Sequence, residues 1–350
     1  MKNVIYDLSA MIYSGALAGH SKNWCNTVGF PTGGLYKVLN QFFTDKKNGY
    51  NVIFVLDSRR DNTIRRQRYP QYKANRADAK TPLEKEKVGL QFEYINEIID
   101  KLGIAKLQKE TYEADDLIYS IVASFPNENF LIRADDSDLK DVMLINKNNQ
   151  MKSVVGRGDI RNTGRSAIFN KICFGDISDN YPALSRQGQQ VMNSLFSLDP
   201  NIIFGNYPSL ELVTKLSKGS NDVVEEIARN IFLATPKLIK IDEIPVTNLN
   251  EVEMELILNA LGCKSILKRG LGKERDYSSP KVKEEMIRLS SKISPELRQS
   301  LLSKNRKMDS SVIEDKEDNN STSDMSWTTK DNSLDDIIKV LGGNVWAYGR

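Results

Sequence analysis

The 350 residues, 40% hydrophobic and 27% charged, describe a soluble chain with length enough for two domains, and its single histidine, His20, excludes histidine-rich zinc sites and any Ser–His–Asp triad built elsewhere. Cys25, Cys173 and Cys263 are odd in number and far apart, which excludes a disulfide framework and fits a reducing cytosol; no apolar run reaches the ~18 residues of a membrane span. The net charge of +3 is divided: residues 309–350 carry four Lys/Arg against nine Asp/Glu, so a basic body precedes an acidic tail, as in a polyanion-binding globule with an appendage.

Along the chain, Asn3-Val4-Ile5-Tyr6-Asp7, Asn51-Val52-Ile53-Phe54-Val55-Leu56-Asp57 and Phe130-Leu131-Ile132-Arg133-Ala134-Asp135 are short β-branched runs ending in an acid. Their near-continuous apolar character predicts strands buried on both faces, hence a parallel sheet. Between them, Val88, Phe92, Ile95, Ile99 and Leu102 recur at helical spacing and Gly103 supplies a stop. A second helix is predicted from near Glu113 through Val122, and a third over residues 165–174. Residues 1–180 therefore read as an α/β domain. From 181 the strand signal fades; residues 222–233 and 251–261 read as amphipathic helices, and 181–305 as a second, mainly helical domain. Residues 306–332 lack periodicity and read as a disordered linker, while Ser333 and Asp336 form a capping-box pattern before Leu334, Ile337, Ile338 and Leu341, a tethered amphipathic helix within 333–350.

The acids fall where an open α/β sheet binds ligands. Asp7 and Asp57 end predicted strands, Glu113, Asp115 and Asp116 open a helix, Asp135, Asp136 and Asp138 follow the third strand, and Asp176 and Asp179 lie in Gly175-Asp176-Ile177-Ser178-Asp179-Asn180. Singly, each suits a cap or a turn. Gathered at one sheet edge they would repel one another unless cations compensated, and an all-oxygen donor set suits Mg²⁺ or Mn²⁺. Two such ions are a standard device for phosphodiester hydrolysis. The stretch from Asp57 to Lys87 carries Arg59, Arg60, Arg65, Arg66, Arg68, Lys73, Arg76, Lys80, Lys85 and Lys87 with Tyr69 and Tyr72 interleaved. Such cations contact phosphates and such tyrosines stack on unpaired bases; alone, the run would also suit a solvated basic helix face.

Tyr6-Asp7, Val55-Leu56-Asp57, Tyr69-Pro70-Gln71-Tyr72-Lys73-Ala74-Asn75-Arg76, Tyr112-Glu113-Ala114-Asp115-Asp116, Asp136-Ser137-Asp138 and Gly175-Asp176-Ile177-Ser178-Asp179-Asn180-Tyr181-Pro182, in this order, resemble the 5′ nuclease superfamily of flap endonucleases and 5′→3′ exonucleases, phage ribonuclease H-like members above all. The resemblance spans residues 4–182. It implies a PIN-like, mainly parallel sheet flanked by helices, a helical arch over about residues 59–87, and a smaller helical domain. It further implies a first Mg²⁺ held by Asp7, Asp57, Glu113, Asp115 and Asp136, and a second associated with Asp116, Asp138, Asp176 and Asp179, with Mn²⁺ as a substitute. Lys73 and Arg76 would stabilise charge on the scissile phosphate, and Arg65, Arg68, Tyr69, Tyr72, Lys73 and Arg76 would bind the strand.

Two features depart from the family pattern. Arg133-Ala134-Asp135-Asp136-Ser137-Asp138 has an extra acid, leaving Asp135 as a second candidate beside Asp136. Ala183-Leu184-Ser185-Arg186-Gln187-Gly188-Gln189-Gln190 replaces a glycine-rich helix–turn–helix that grips duplex backbone, which counts against that grip here. The expectation is a monomeric metal-dependent 5′→3′ exonuclease and flap endonuclease. It would act on DNA 5′ ends or flaps and on RNA–DNA hybrids, in the cytoplasm, or the host cytoplasm if phage-encoded. The tail would offer its helix to a single-strand-binding protein or sliding clamp. The competing readings are a PIN-type ribonuclease and a catalytically silent replisome protein.

Overall fold

The computed structural model describes residues 2–18, 20–58, 62–77, 80–154, 159–160 and 166–304. The tail, with its expected linker and partner-binding helix, lies outside the described residues.

The chain opens with β1 (Lys2–Asp7), α1 (Leu8–Leu17), α2 (Gly33–Lys47) and β2 (Tyr50–Val55), followed by the short α3 (Ile64–Arg68) and the long α4 (Pro82–Leu102). Then come β3 (Ala105–Leu107), α5 (Ala114–Ser124), β4 (Phe130–Arg133), α6 (Val142–Ile145), β5 (Gln150–Lys152), β6 (Asp159–Ile160) and α7 (Ala167–Phe174). The sheet order is β3-β2-β1-β4-β5-β6, with only the β5–β6 pairing antiparallel. The parallel sheet predicted from the three apolar runs is therefore present. The third run and the second are shorter as strands than as sequence patterns. Asp57 stands two residues beyond β2, after Leu56 N–H has bonded to Leu107 O at 3.1 Å.

Side-chain alternation divides the sheet between two cores. Val4, Tyr6, Val52, Phe54 and Leu131 point to one, with α1, α2 and α4; Ile5, Ile53, Val55, Phe130 and Ile132 point to the other, with α5 and α7. The remaining helices are α8 (Arg186–Leu198), α9 (Leu210–Leu216), α10 (Asn221–Ala234), α11 (Glu251–Leu261), α12 (Lys264–Ile266), α13 (Pro280–Ser291) and α14 (Pro295–Lys304). The expected division at 180/181 is not a division of cores. Val191, Val213 and Ile227 of α8–α10 extend the second core, whereas Met254, Leu261, Leu289 and Leu301 of α11, α13 and α14 join the first. The segment between α10 and α11 makes the crossing along the sheet edge. Thr247 N–H donates to Asn51 Oδ1 at 3.0 Å and Asn248 N–H to Gly103 O at 2.8 Å. Gly103 closes α4 at φ +63, and a Cβ there would stand 2.0 Å from Asn248 O, so glycine serves both the helix stop and this crossing.

Candidate metal centre and nucleic-acid interface

Asp7 is the last residue of β1 and caps α1, its Oδ1 accepting from Ala10 N–H at 3.0 Å. Asp57 accepts from Ala114 N–H at 2.8 Å and from Ser9 Oγ at 2.5 Å, which ties the loop after β2 to the start of α5 and to α1. Asp115 lies in the first turn of α5, and Asp136 caps the turn Ser137–Asp141 by accepting from Asp138 N–H at 3.0 Å. Four separated segments thus deliver carboxylates to the carboxyl edge of the sheet.

Their fields overlap. Burial, then the Asp57 and Asp136 charges, push Asp7 up to about 7. Burial with Asp136 and Asp7 raises Asp115 well above the usual carboxylate range. Asp138 reaches about 7 through burial and Asp136, against the opposing Lys171 ammonium. An excess of hard oxygen donors with too few protein cations is the chemistry that suits a divalent ion. Among the described residues no three acids are arranged as a finished ion cage, because Asp57 and Asp136 spend oxygens on backbone amides. Asp135 is turned elsewhere, accepting from Ser153 Oγ and Val154 N–H, so Asp136 is the better-placed member of that pair.

The other expected ligands are paired with cations. Arg65 uses all five of its donors: Nε to Leu233 O at 2.8 Å, Nη1 to Glu113 Oε2 at 2.7 Å and Asp116 Oδ2 at 2.8 Å, Nη2 to Asp116 Oδ1 at 2.7 Å and Thr235 O at 2.8 Å. Asp116 additionally accepts from Glu113 N–H and Lys237 N–H, which fills its acceptor sites. Glu113 also receives Lys73 Nζ at 2.7 Å and the Tyr72 hydroxyl at 3.2 Å. Burial disfavours the Glu113 charge, yet Arg65 and Lys73 hold its carboxyl down at about 2.

Two expectations for the basic stretch are corrected by the same network. Arg65 and Tyr72 are each 4% exposed and form the floor beneath the acids instead of a strand-binding surface. The cause is Coulombic for Arg65, whose charge balances Glu113 and Asp116, and apolar for Tyr72, which packs with Tyr181 and Leu233. Arg68 is exposed and Tyr69 half-buried. Lys73 lines the cavity and takes a left-handed backbone at φ 55, sparsely populated by non-glycine residues. Its N–H bonds to Asp179 O at 2.9 Å, while Asn75 Nδ2 donates to Ile177 O and Asn180 Nδ2 to Gln71 O, both at 2.8 Å. The basic stretch is thereby stitched to the Asp176–Asn180 loop. The side chain of Arg76, and Arg59 and Arg60, lie outside the described residues.

That loop is an Asx turn. Asp176 Oδ1 accepts from Ser178 N–H at 2.7 Å, Ser178 Oγ at 2.6 Å and Asp179 N–H at 3.2 Å. Its Oδ2 meets Lys171 Nζ at 2.6 Å, and Lys171 also contacts Asp138. Burial opposes the Asp176 charge, but Lys171 and Ser178 hold it down at about 2. Asp179, 6% exposed, accepts from the Tyr72 hydroxyl at 3.2 Å.

Lys171 was not legible as a site residue, since its position on α7 is indistinguishable from a solvent-facing helical lysine. Tyr181 was quoted only as part of a motif, yet its buried hydroxyl lines the same cavity without a partner among the described residues. The glycine-poor segment after Pro182 is also closed by an internal anion: Glu226 of α10 accepts from Ser185 N–H at 2.9 Å, and a Cβ on Gly188 would stand 2.1 Å from its carboxylate.

Residues 2–171 match the family model described as 5′-3′ exonuclease, N-terminal resolvase-like domain. That match covers just under half of the chain and includes every strand from β1 to β6. Among relatives, DNA polymerase I of Caldicellulosiruptor bescii is 26% identical over 294 residues, 77% of this chain and 33% of that protein. The chain thus spans a third of that polymerase's length. The 5′-3′ exonuclease of Buchnera aphidicola subsp. Acyrthosiphon pisum is 27% identical over 222 residues, 59% of this chain and 75% of that one. Among solved structures, T5 5′-exonuclease with bound divalent metal ions (zinc) aligns over 83% of this chain and 99% of that one, with 15% identity and a TM-score of 0.46.

Proposed function

We propose that this chain hydrolyses phosphodiester bonds at single-stranded 5′ ends and flaps of DNA, and of RNA annealed to DNA, with two divalent ions, Mg²⁺ or Mn²⁺. The observation that carries the reading is one cavity in which Asp115, Asp136 and Asp138 meet Lys73 and Lys171. A phosphodiester needs both: acids to hold cations, and side-chain cations to take the phosphate. The match of residues 2–171 to the 5′-3′ exonuclease family model supports the same class of reaction.

Asp7, Asp57, Asp115 and Asp136 are the residues for one ion, and Asp138, Asp176 and Asp179 for the other. When bound, the ions supply charge neutralisation at the phosphate and acidify water. Lys73 offers an ammonium to the phosphate from a backbone fixed by Asp179 O, and Glu113 keeps that ammonium in the cavity. Its acidity is suppressed: burial disfavours the charge, but Glu113 and Asp179 raise the pKa above the ordinary lysine value, so Lys73 stays protonated and acts as an electrostatic stabiliser. Arg65 orients Glu113 and through it Lys73, without touching the strand.

A labelled 5′-flap oligonucleotide, incubated with excess protein and titrated with Mg²⁺, tests the proposal. Cleavage should require the ion, disappear in chelator and release 5′ fragments. Binding without cleavage at every Mg²⁺ and Mn²⁺ concentration would favour a silent nucleic-acid-binding protein. Cleavage of single-stranded RNA alone would favour a PIN-type ribonuclease.

A further inference from the structure

We propose that Arg68 of α3, Phe232 at the end of α10, Tyr207 before α9 and Lys237 after α10 form a subsite for one unpaired nucleobase and its phosphate, beside the carboxylate cavity. Arg68 is exposed and lies with its guanidinium carbon 4.8 Å from the centre of the Phe232 ring. Lys237 Nζ lies 4.3 Å from that same centre, and Tyr69 packs against Phe232 at 5.7 Å between centroids. Tyr207, 49% exposed, accepts from Lys237 Nζ at 2.7 Å through its hydroxyl. No carboxylate pairs with Arg68 or with the Lys237 ammonium among the described residues; Lys237 donates instead to Phe232 O at 2.5 Å and Thr235 O at 3.1 Å.

An exposed guanidinium over an aromatic ring offers a stacking surface for a base, and the half-exposed tyrosine beside it is another. Arg68, lacking an acid of its own among the described residues, suits a phosphate oxygen. Lys237 instead spends its donors on Tyr207, Phe232 and Thr235, with burial lowering its pKa to about 7, and braces the two rings. The platform has a fixed distance from the proposed chemistry. Phe232 precedes Leu233, whose carbonyl clasps Arg65 Nε, and Lys237 N–H donates to Asp116 Oδ1 at 2.8 Å. The platform is thus tied through Arg65 and Asp116 to the floor of the carboxylate cavity. The stretch read from sequence as supplying stacking tyrosines supplies a stacking arginine, and the ring beneath it comes from over 160 residues further on, in α10.

This subsite rests on the proposed nuclease function, and its test separates the two. A 5′-overhang DNA is bound in chelator by wild type, Arg68→Ala, Arg68→Lys and Tyr207→Ala, with an abasic site moved through each unpaired position. At one position the abasic site should weaken wild-type binding by ~10-fold, the low end for a base on an aromatic platform, and leave Arg68→Ala unaffected. Arg68→Lys should restore the salt dependence lost in Arg68→Ala but not the sensitivity to the missing base, and Tyr207→Ala should show a smaller loss at the same or the adjacent position. Wild type that cleaves flaps yet shows the same abasic profile as all three variants overturns the subsite alone. A base-dependent profile in a protein that never cleaves upholds the subsite and overturns the nuclease reading. Circular dichroism of each variant excludes misfolding as the cause.

Discussion

Both carboxylate oxygens of Asp116 are held by Arg65, at 2.7 and 2.8 Å, and the same guanidinium reaches Glu113. All three side chains are buried, and the pairing joins the basic stretch, α5 and the end of α10. Arg65→Ala would leave Asp116 without its counterion and Glu113 with Lys73 alone, a loss of about 3–5 kcal/mol for a buried pair broken on one side. Arg65→Lys cannot reproduce the five-donor fork and should recover only part of that loss. Urea unfolding measures both. A stable Arg65→Ala protein with impaired strand binding would return Arg65 to the strand-binding surface.

Lys171 stands where the sequence placed part of a second metal site, contacting Asp138 and Asp176. An ammonium and a divalent ion compete for the same oxygens. Lys171→Met should lower stability in chelator, because Asp138 and Asp176 lose their partner, and should enlarge the rise in Tm produced by millimolar Mg²⁺ or Mn²⁺. Differential scanning fluorimetry with and without the ion reads both effects. An ion-dependent rise no larger than in wild type means that Lys171 and the ion do not share ligands.

The sheet and much of the acid edge were legible because burial on both faces and acids at strand ends leave direct traces in a sequence. Gly103 was readable as a helix stop because its positive φ is a local demand. What escaped was determined by long-range pairing. Arg65 looks like Arg68 in sequence, and only Asp116 and Glu113, about fifty residues away, make one buried while the other stays exposed. Which core the helices after residue 181 join was hidden for a related reason. Met254 and Leu289 have an ordinary amphipathic pattern that does not name the surface they cover, and they cover α1, α2 and α4.

The crowded acids predict a pH dependence in metal-free protein. An unfolded aspartate loses its proton near ~3.9, whereas folded Asp7 and Asp138 retain theirs up to about 7. Between those values the folded chain binds more protons, so stability must fall as pH rises. Glu113 and Asp176, held at about 2, act oppositely but only as pH drops below the unfolded carboxylate range. In chelator, Tm should therefore be lower at pH 8 than at pH 5, by about 5 °C or more, and saturating Mg²⁺ should restore more of it at pH 8. A Tm that rises from pH 5 to pH 8 without metal would contradict the mutual repulsion of these acids.

Asp176 and Asp179 share one loop but have different partners, so neutralising each should have a different result. Asp176 is an Asx-turn acceptor for Ser178 and Asp179 and an ion-pair partner of Lys171. In Asp176→Asn the side-chain carbonyl can still accept from the turn, but the Lys171 ammonium loses one of its two charges; the cost should be about 1–2 kcal/mol. Asp179 receives the Tyr72 hydroxyl and faces the cavity, and its backbone carbonyl, which anchors Lys73, is untouched by substitution. In Asp179→Asn the side-chain carbonyl can still accept from the Tyr72 hydroxyl. If Asp179 is a ligand, single-turnover cleavage should fall by ~10²-fold and recover partly at higher Mn²⁺, because several kcal/mol of transition-state stabilisation depend on the ion. Flap affinity in chelator should stay the same or rise, since one negative charge facing phosphate is gone. Wild-type cleavage by a normally folded Asp179→Asn protein would remove Asp179 from the ligand set.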